Sequence, residues 1–323
     1  MREKPQPVDV LAQALVGERW VVRRRLPDGS ATDVIGWVER LNPEGLLLST
    51  SRGEVVLVPS GEIITARRAP AAAGGPDPLR TAAEQLERYA LPSWLAWNEP
   101  LGEWTLRAGG GFTARANSCL AVGDPGMPIA DAAGRIVEFS RAQGIEPWAQ
   151  VISGSGIEAE LRQLGWVDVH LETDVLVCRL GTFLGESLPD PSVTIAEVLT
   201  WQWLEAYQRS RPNDVASEIL KMILAGNPPA AFAGVAVSET RLIAIGRGHI
   251  SGTWLGLSAV WTDPDHRRHG FATKIMIALG HWGARQGARH VYLGVRGTDP
   301  EALATCARLG FRLHHRYRYL AAP

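Results

Sequence analysis

Six consecutive residues near the end of the chain, 267–272, have the types and the spacing that bind phosphate. They read Arg-Arg-His-Gly-Phe-Ala and lie between an apolar stretch that predicts a strand and a helical recurrence of apolar side chains over 275–282. The first turn of a helix has N–H groups without an intrahelical acceptor and the positive end of the helix dipole, so it attracts phosphate. Gly270 leaves room beside the main chain, Ala272 is small, and the two arginines add charge. The pattern predicts a pyrophosphate site; a solvated basic turn that only caps a helix is the alternative.

A second candidate site is the polar segment that follows three consecutive glycines at 109–111. Thr113, Arg115 and Asn117 alternate there with other residues, and polar groups beyond a glycine-rich turn could line the pocket of an acceptor substrate. The alternative is a β-turn followed by an edge strand, in which Arg115 and Asn117 share a face only because strand side chains alternate. The sequence leaves both interpretations open.

The elements that must position the phosphate motif are well patterned. Ahead of it, SVTIAEV is a predicted strand, TWQWLEAYQRS and VASEILKMILAG are predicted helices, and AAFAGVAVSE, RLIAIGRGHIS and TWLGLSAVWT are three predicted strands. Behind it follow a strand, HVYLGV, a helix, PEALATCARLG, and a closing strand, GFRLHHRYRYL. The motif is therefore predicted at the junction of a strand and a helix inside an α/β unit.

An upstream segment repeats part of this order. The segment SRAQGIEPWAQVISGSGIEAELRQLGW, which ends at Trp166, can be laid over GARQGARHVYLGVRGTDPEALATCARLGF, which ends at Phe311. Each has a helix end with Gln-Gly, an apolar strand, a loop, a helix and Leu-Gly-aromatic, so we favour two related α/β units over chance. The corresponding upstream stretch, IADAAGRIVEF, has no phosphate motif, so we expect one phosphate site.

The N-terminal region has a different pattern. Residues 19–68 contain about five short strands separated by the turns PDGS, NPEG, SRG and PSGE, which favours a small β-barrel. Strand length and turn spacing are typical of an SH3-like barrel, although other small barrels fit as well. An Ala/Gly/Pro-rich stretch, ARRAPAAAGGPDPLR, then indicates a linker.

The phosphate motif and its context resemble a known family. The pattern Val-x-Thr-x-Pro-x-x-Arg-x-x-Gly-x-Ala over residues 260–272 is similar to the acetyl-coenzyme A signature of the GNAT superfamily of N-acetyltransferases, Gln/Arg-x-x-Gly-x-Gly/Ala. The resemblance covers about 193–320. It implies that the strand before the motif splits from its neighbour at a bulge and pairs with the pantetheine arm of acetyl-CoA, while backbone amides of 268–273 hold the pyrophosphate. The cofactor-binding residues it implies are Val260, Trp261, Thr262, Arg267, Arg268, His269, Gly270, Phe271, Ala272, Thr273 and Asp299.

The resemblance also sets the expected domains. We expect an SH3-like barrel over 1–68, a linker and helix over 69–91, a degenerate GNAT-like half over 92–185 and the acetyl-CoA-binding GNAT domain over 186–323. The expected fold class is α/β (α+β), with tandem GNAT-like units built on mixed, mostly antiparallel sheets. This combination resembles an actinobacterial subgroup of uncharacterised acetyltransferases.

One family residue is replaced. A tyrosine on the helix after HVYLGV commonly protonates the departing coenzyme A thiolate in this family, within the pattern Asn-x-x-Ala-x-x-Leu-Tyr-x-x-Leu-Gly-Phe. Here Asp299 stands at the first position and Cys306 at that of the tyrosine. The Cys306 thiol is therefore the candidate catalytic acid, although its helical face is otherwise apolar and burial in the core is the favoured alternative.

The base that removes the proton of the acceptor amine is not evident either. No glutamate lies on the strand WLGLSAVWT. The nearest ionisable residues by sequence are Glu103, Asp263, Asp265 and His249, and each also has a structural interpretation. A base that acts through water fits at least as well.

Composition excludes several classes of protein. Of 323 residues, 46% are hydrophobic and 21% charged, with a formal net charge of −1, which is typical of a globular protein without a strongly basic face for nucleic acid. Three distant cysteines match neither a zinc site nor a disulfide framework and favour a reducing cytoplasm. No apolar stretch is long enough to cross a membrane.

Two functions remain in view. The first is an acetyl-CoA-dependent N-acetyltransferase that modifies a primary amine of a small molecule or a protein by direct transfer in a ternary complex; no metal is expected, and a homodimer is compatible with the sequence. The second is a coenzyme A-binding regulatory or interaction protein with little or no activity. The replaced tyrosine and the absent carboxylate on the strand favour the second; the complete motif favours the first.

Overall fold

The computed structural model of the chain describes residues 18–50, 54–69, 77–170, 172–212, 215–227 and 229–323. The chain divides into two units, Met1–Arg80 and Thr81–Pro323. Residues 70–76 of the predicted linker and the predicted SRG turn at 51–53 lie outside the described residues.

The first unit contains one antiparallel sheet of five strands in the order β4-β3-β2-β1-β5. These strands are β1 (Arg19–Arg25), β2 (Ala31–Asn42), β3 (Gly45–Thr50), β4 (Val55–Pro59) and β5 (Ile63–Arg68). Alternate side chains such as Trp20, Val22 and Leu48 point into one apolar core because strand residues face opposite sides of a sheet in turn.

The second unit contains the other strands and all the α-helices that the structure describes. Its strands are β6 (Trp97–Leu101), β7 (Trp104–Ala108), β8 (Cys119–Leu120), β9 (Trp148–Ile152), β10 (Val167–Asp168), β11 (Thr173–Arg179), β12 (Val193–Ala196), β13 (Ala230–Ser238), β14 (Arg241–Ser251), β15 (Trp254–Thr262), β16 (His290–Arg296) and β17 (Arg312–Ala321). Its α-helices are α1 (Ala83–Ala90), α2 (Ile129–Ala142), α3 (Gly156–Gln163), α4 (Leu180–Leu184), α5 (Trp201–Ser210), α6 (Ser217–Ala225), α7 (Phe271–Arg285) and α8 (Pro300–Arg308). The strands and helices predicted between 192 and 320 are confirmed.

All twelve strands of this unit form one mixed sheet in the order β12-β13-β14-β15-β16-β11-β17-β9-β8-β7-β6, with β10 paired to β17. Only the β15–β16 and β8–β9 pairs are parallel among the pairs that the structure describes. The predicted fold class, α/β with tandem units on a mixed and mostly antiparallel sheet, is confirmed.

The two related halves exchange their closing strands. The order α2-β9-α3-β10 in the first half matches α7-β16-α8-β17 in the second, yet β16 pairs with β11 of the first half, and β9 pairs with β17 of the second. The strands β11 and β17 also pair with each other, and the Arg316 guanidinium donates to the Asp174 carboxylate across that pair at 2.7 Å. The expected division at 185/186 therefore runs through a single sheet.

Helices cover both faces of the second half. On one face α7 packs so closely on β14 that a Cβ at Gly246 would collide with the Ile275 side chain. On the other face α5 and α6 form a core around Trp203 and Phe232. Within the described residues, no helix is long and apolar enough to cross a lipid bilayer.

Candidate active site

A bulge in β15 separates this strand from β16. Between the pairs Ile245↔Trp261 and Arg247↔Ser258, two residues of β15 face one residue of β14. Ala259, one of the two, has φ 53°, in the left-handed region that a residue with a Cβ rarely adopts. Pairing between β15 and β16 ends at Leu257↔Leu293, so β15 beyond that point has one edge open. The structure thus shows the split strand that the family resemblance implied.

The open edge of β15 leads into the loop that carries the phosphate motif. The Asp263 carboxylate fixes the start of this loop, because it accepts from the Asp265 N–H at 3.3 Å and lies 3.3 Å from both Arg209 and Arg241 guanidinium nitrogens. The His269 Nδ1 atom lies 2.8 Å from the Arg267 carbonyl oxygen. These contacts hold the loop in one shape before α7 begins.

Gly270 is the N-cap of α7 and has φ 76°, the left-handed conformation that glycine adopts without strain. No atom lies within 4 Å of the position where its Cβ would stand, so the space in front of the first helical turn is open. The exposed Arg267 and Arg268 flank this space, and Arg268 also forms an ion pair with Glu301 at 3.0 Å. The open space that a Cβ at Gly270 would occupy lies next to the first N–H groups of α7, which lack intrahelical acceptors, and next to two arginine side chains. Such a space fits a pyrophosphate group.

A cavity of about 400 Å³ begins where β15 and β16 separate. Residues 256–259 of β15 form one wall, and Tyr292, Gly294 and Arg296 of β16 form another. Gly256 has to lack a side chain, because a Cβ there would collide with the Tyr292 hydroxyl. The open edge of β15 therefore joins the loop that carries the phosphate motif at one end to this cavity at the other.

Of the predicted acceptor-binding residues, Thr113 and Arg115 line this cavity and Asn117 does not. The Asn117 Oδ1 atom accepts from the Gly109 and Gly111 N–H groups at 2.7 and 2.9 Å, and its Nδ2 atom donates to the Phe112 and Thr113 carbonyls at 2.6 and 2.8 Å. All its polar groups are occupied within the loop. The expectation that Asn117 contacts a substrate is corrected: it holds the loop on which Thr113 and Arg115 stand.

A buried polar network supports the same loop from the first half. Arg107 of β7 donates to the Ser118 carbonyl at 2.8 Å and to the Gln150 Oε1 atom at 2.8 Å. Gln150 in turn donates to the Glu87 carboxylate at 2.6 Å, and the His315 Nε2 atom lies 3.1 Å from that carboxylate. The network links β7, β9, α1 and β17, so the first half builds one wall of the cavity.

The carboxylates named as bases lie elsewhere. Asp263 holds the loop; burial raises the pKa of its carboxyl, but the Asp265 N–H and Arg241 outweigh this and keep the pKa below its ordinary value. Glu103 accepts from the Asp124 N–H at 2.7 Å, far from β15. Asp265 is an exposed residue of the loop.

Two histidines, His249 and His170, differ in whether they line the cavity. His249 is buried beside Arg247, and its burial lowers its pKa to about 4; it does not line the cavity. His170 does line it, and partial burial together with Arg296 lowers the pKa of His170, which favours the neutral imidazole that a base requires. His170 is the candidate base among the described residues.

The Cys306 side chain lies in the core between the sheet and α7, where it is 4% exposed. Burial raises the pKa of its thiol to about 11, and Cys306 is not among the residues that line the cavity. Asp299 caps α8 by accepting from the Ala302 N–H at 3.0 Å. The geometry favours packing for Cys306 and capping for Asp299, while their roles in catalysis and cofactor binding stay predictions.

Replacing Cys306 by alanine should lower the free energy of unfolding by about 1 kcal/mol, the ordinary scale for a small core truncation, and should change turnover less than twofold or so. A thiol with a pKa of about 11 is a weaker acid than the thiol of coenzyme A, whose pKa is near that of cysteine, so proton donation is uphill. Thermal unfolding measures the stability of the variant, and acetyl transfer at saturating cofactor measures its turnover. A loss on the order of a hundredfold in turnover at unchanged stability would instead make Cys306 the acid.

The sequence analysis missed several residues of the cavity. Tyr292 and Arg296 follow from strand alternation in HVYLGVR, where every second side chain faces the cavity. Tyr317 and Tyr319 alternate in the same way on β17. Trp94 ends a short 3-10 helix and His170 lies in a bend, and neither has a strand or α-helix periodicity that could have indicated its direction.

Fold and site together are those of an acetyltransferase. Residues 83–320 match the family described as the probable histone acetyltransferase Rv0428c C-terminal domain, and residues 14–67 match the Rv0428c N-terminal Sm-like domain. The chain therefore belongs to this family of GNAT N-acetyltransferases. The expectation of an SH3-like barrel is corrected to an Sm-like domain: the two are small barrels of short strands, and strand count and turn spacing could not separate them.

Two relatives extend over most of the chain. The probable histone acetyltransferase Rv0428c of Mycobacterium tuberculosis is 31% identical to this chain over 321 residues, and the alignment covers 95% of each of the two chains. The N-acetyltransferase YobR of Bacillus subtilis, which is uncharacterised, is 27% identical over 72% of this chain and 97% of its own length. Among solved structures, a GCN5-related N-acetyltransferase from Kribbella flavida has the same fold, with a TM-score of 0.52 at 19% identity over 76% of this chain and 95% of its own.

Proposed function

We propose that the protein transfers the acetyl group of acetyl-CoA to the nitrogen of a primary amine, directly and in a ternary complex. One observation carries the proposal: the open edge of β15, between Leu257 and Thr262, connects the phosphate-binding loop at Gly270 with a cavity of about 400 Å³. A cavity of this volume suits a small molecule or a single lysine side chain. The relative that covers 95% of the chain also supports the assignment to the subgroup with an N-terminal barrel.

Each part of the site has a task in this reaction. The amides of the first turn of α7 and the flanking arginines bind the pyrophosphate, and the open edge of β15 pairs with the pantetheine arm and offers N–H groups that polarise the carbonyl. Acetyl-CoA supplies the thioester. The cavity holds the amine nitrogen against the carbonyl carbon, a C–N bond forms as the C–S bond breaks, and His170 or water takes the nitrogen proton.

The first half contributes to the acceptor pocket and has no cradle of its own. Helix α2 starts after Pro128, with φ −53°, where α7 starts after a left-handed glycine. In addition, β8 has only two residues and therefore provides no long open edge beside β9. We expect one coenzyme A per chain.

Purified protein should release free thiol from acetyl-CoA in the presence of a suitable amine, in a one-to-one ratio with acetylated amine identified by mass spectrometry. Calorimetry should give one coenzyme A bound per chain. Binding without acetyl transfer across a broad panel of amines would support a regulatory protein instead. Two equivalent sites per chain would contradict the role given to the first half.

A further inference from the structure

The cavity is lined by cations and aromatic rings. Arg115, Arg211 and Arg296 belong to its lining, and none of the described lining residues is an aspartate or a glutamate. The lining thus carries cationic side chains and no anionic ones, which favours a negatively charged occupant even though the Glu87 carboxylate lies near Arg115. An anionic group on the acceptor would be stabilised there, and a second cation would be repelled.

Arg115 is held by aromatic faces rather than by hydrogen bonds. Its guanidinium carbon lies 4.8 Å from the ring centre of Tyr317 and 6.0 Å from that of Trp94. Its Nη2 atom lies over Gly294 of β16, 3.9 Å from where a Cβ would stand. Among the described residues, no acceptor takes a hydrogen bond from its N–H groups, which are therefore available to an occupant of the cavity.

The backbone under Arg115 is firmly placed. The four hydrogen bonds of the Asn117 side chain bind the loop on both sides of it, and Thr113 has φ 60° within that loop. The nearby Glu87 carboxylate accepts a hydrogen bond from Gln150 and lies within hydrogen-bonding distance of the His315 Nε2 atom. It helps to keep Arg115 charged without using its N–H groups.

We propose that the acceptor amine carries a carboxylate and that Arg115 binds this carboxylate; this rests on the proposed acetyl transfer. A guanidinium presents two parallel N–H donors that match the two oxygens of a carboxylate, and stacking on an aromatic ring fixes its plane. A carboxylate at Arg115 leaves the rest of the molecule between Tyr317 and residues 256–259, where the amine reaches the open edge of β15. The acceptor class is thus a small amino acid-like molecule.

This class differs from the substrate in the name of the relative from Mycobacterium tuberculosis, a histone acetyltransferase. A histone-like tail would bring several further lysines and arginines towards the arginine side chains of the cavity lining. Like charges at such distances oppose binding. The lining of the cavity therefore favours an acidic acceptor over a basic peptide.

The test compares amines that differ in one group. For 4-aminobutyrate against 4-aminobutanamide, and for phenylalanine against phenylalaninamide, we expect kcat/KM of the wild-type protein to favour the carboxylate by a factor on the order of ten or more, the scale of a hydrogen-bonded charge. In Arg115→Gln the preference should fall to near one, and in Arg115→Lys it should lie between. Arg135→Gln, at an exposed ion pair with Glu138, is the matched control and should keep the preference.

Each other result would overturn the proposal. Equal rates for carboxylate and amide, a faster reaction with phosphoethanolamine, or a faster reaction with a lysine-rich peptide would each show that the wild-type cavity does not select a carboxylate. Coenzyme A-dependent thermal stabilisation of wild type and Arg115→Gln is measured in parallel. If coenzyme A binds and amines are acetylated without preference, this inference fails alone; if coenzyme A does not bind, the proposed function fails.

Discussion

Replacing Gly270 by valine should abolish the thermal stabilisation that coenzyme A gives the protein. A ligand at a hundred times its dissociation constant stabilises a folded protein by about 2.7 kcal/mol, and the variant should lose all of it. Gly270 has φ 76° and open space at its Cβ position, so a valine side chain would occupy the place of the pyrophosphate. Its branched Cβ would also strain the left-handed backbone that directs the first amides of α7.

The control lies at the other end of the same helix. Gly287 follows α7 with φ 86° and also has no atom within 4 Å of its Cβ position. Gly287→Val should therefore lower the melting temperature of the free protein by a similar amount and leave the response to coenzyme A intact. Differential scanning fluorimetry over a coenzyme A titration measures both variants. Normal coenzyme A binding by Gly270→Val would mean that the pyrophosphate lies elsewhere.

Replacing Trp203 by alanine should lower the free energy of unfolding by about 3–5 kcal/mol, the usual cost of truncating a large buried aromatic residue. Trp203 is 1% exposed and stacks on Tyr207 with ring centres 5.3 Å apart. Its Nε1 atom donates to the Ala233 and Gly246 carbonyls at 3.1 and 3.3 Å. Gly246 stands opposite the bulge of β15, so the variant should also bind coenzyme A more weakly.

Urea unfolding of the variant against wild type measures the stability, and calorimetry measures the affinity. Trp201→Ala is the control on the same helix, because Trp201 is 60% exposed and its loss should cost under about 1 kcal/mol. Trp203→Phe keeps the ring and removes the N–H donor, which separates packing from the bond to Gly246. Coenzyme A affinity that stays unchanged in Trp203→Ala would show that α5 does not hold the bulge.

The parts of the site that the sequence predicted are local ones. The loop with the phosphate motif depends on consecutive residues, because the conformation of Gly270 and the start of α7 follow from the residues next to them. The strands and helices from 192 to 320 likewise follow from periodicity within each segment. The sequence left open whether Thr113 and Arg115 line an acceptor pocket or only belong to an edge strand, and the structure places both at the cavity.

What the sequence did not predict depends on distant contacts. The guanidinium of Arg115 lies over the rings of Trp94 and Tyr317. These residues are far apart in the sequence, and no pattern within one segment predicts that they meet. Asn117 could equally have faced a substrate or its own loop, since both use the same polar atoms. The pairing of β16 with β11 and of β9 with β17 was also beyond sequence patterns, because strand periodicity specifies a face and not a partner.

The exchanged strands also bear on how the protein is made. β9 leaves the ribosome long before β17, the strand with which it pairs. Until β17 has been synthesised, one edge of β9 lacks its permanent neighbour, and an unpaired edge is the kind of surface on which nascent chains aggregate. Pairing at such sequence separation makes assembly slow. The first half is also needed to complete the sheet, since β11 pairs with β16.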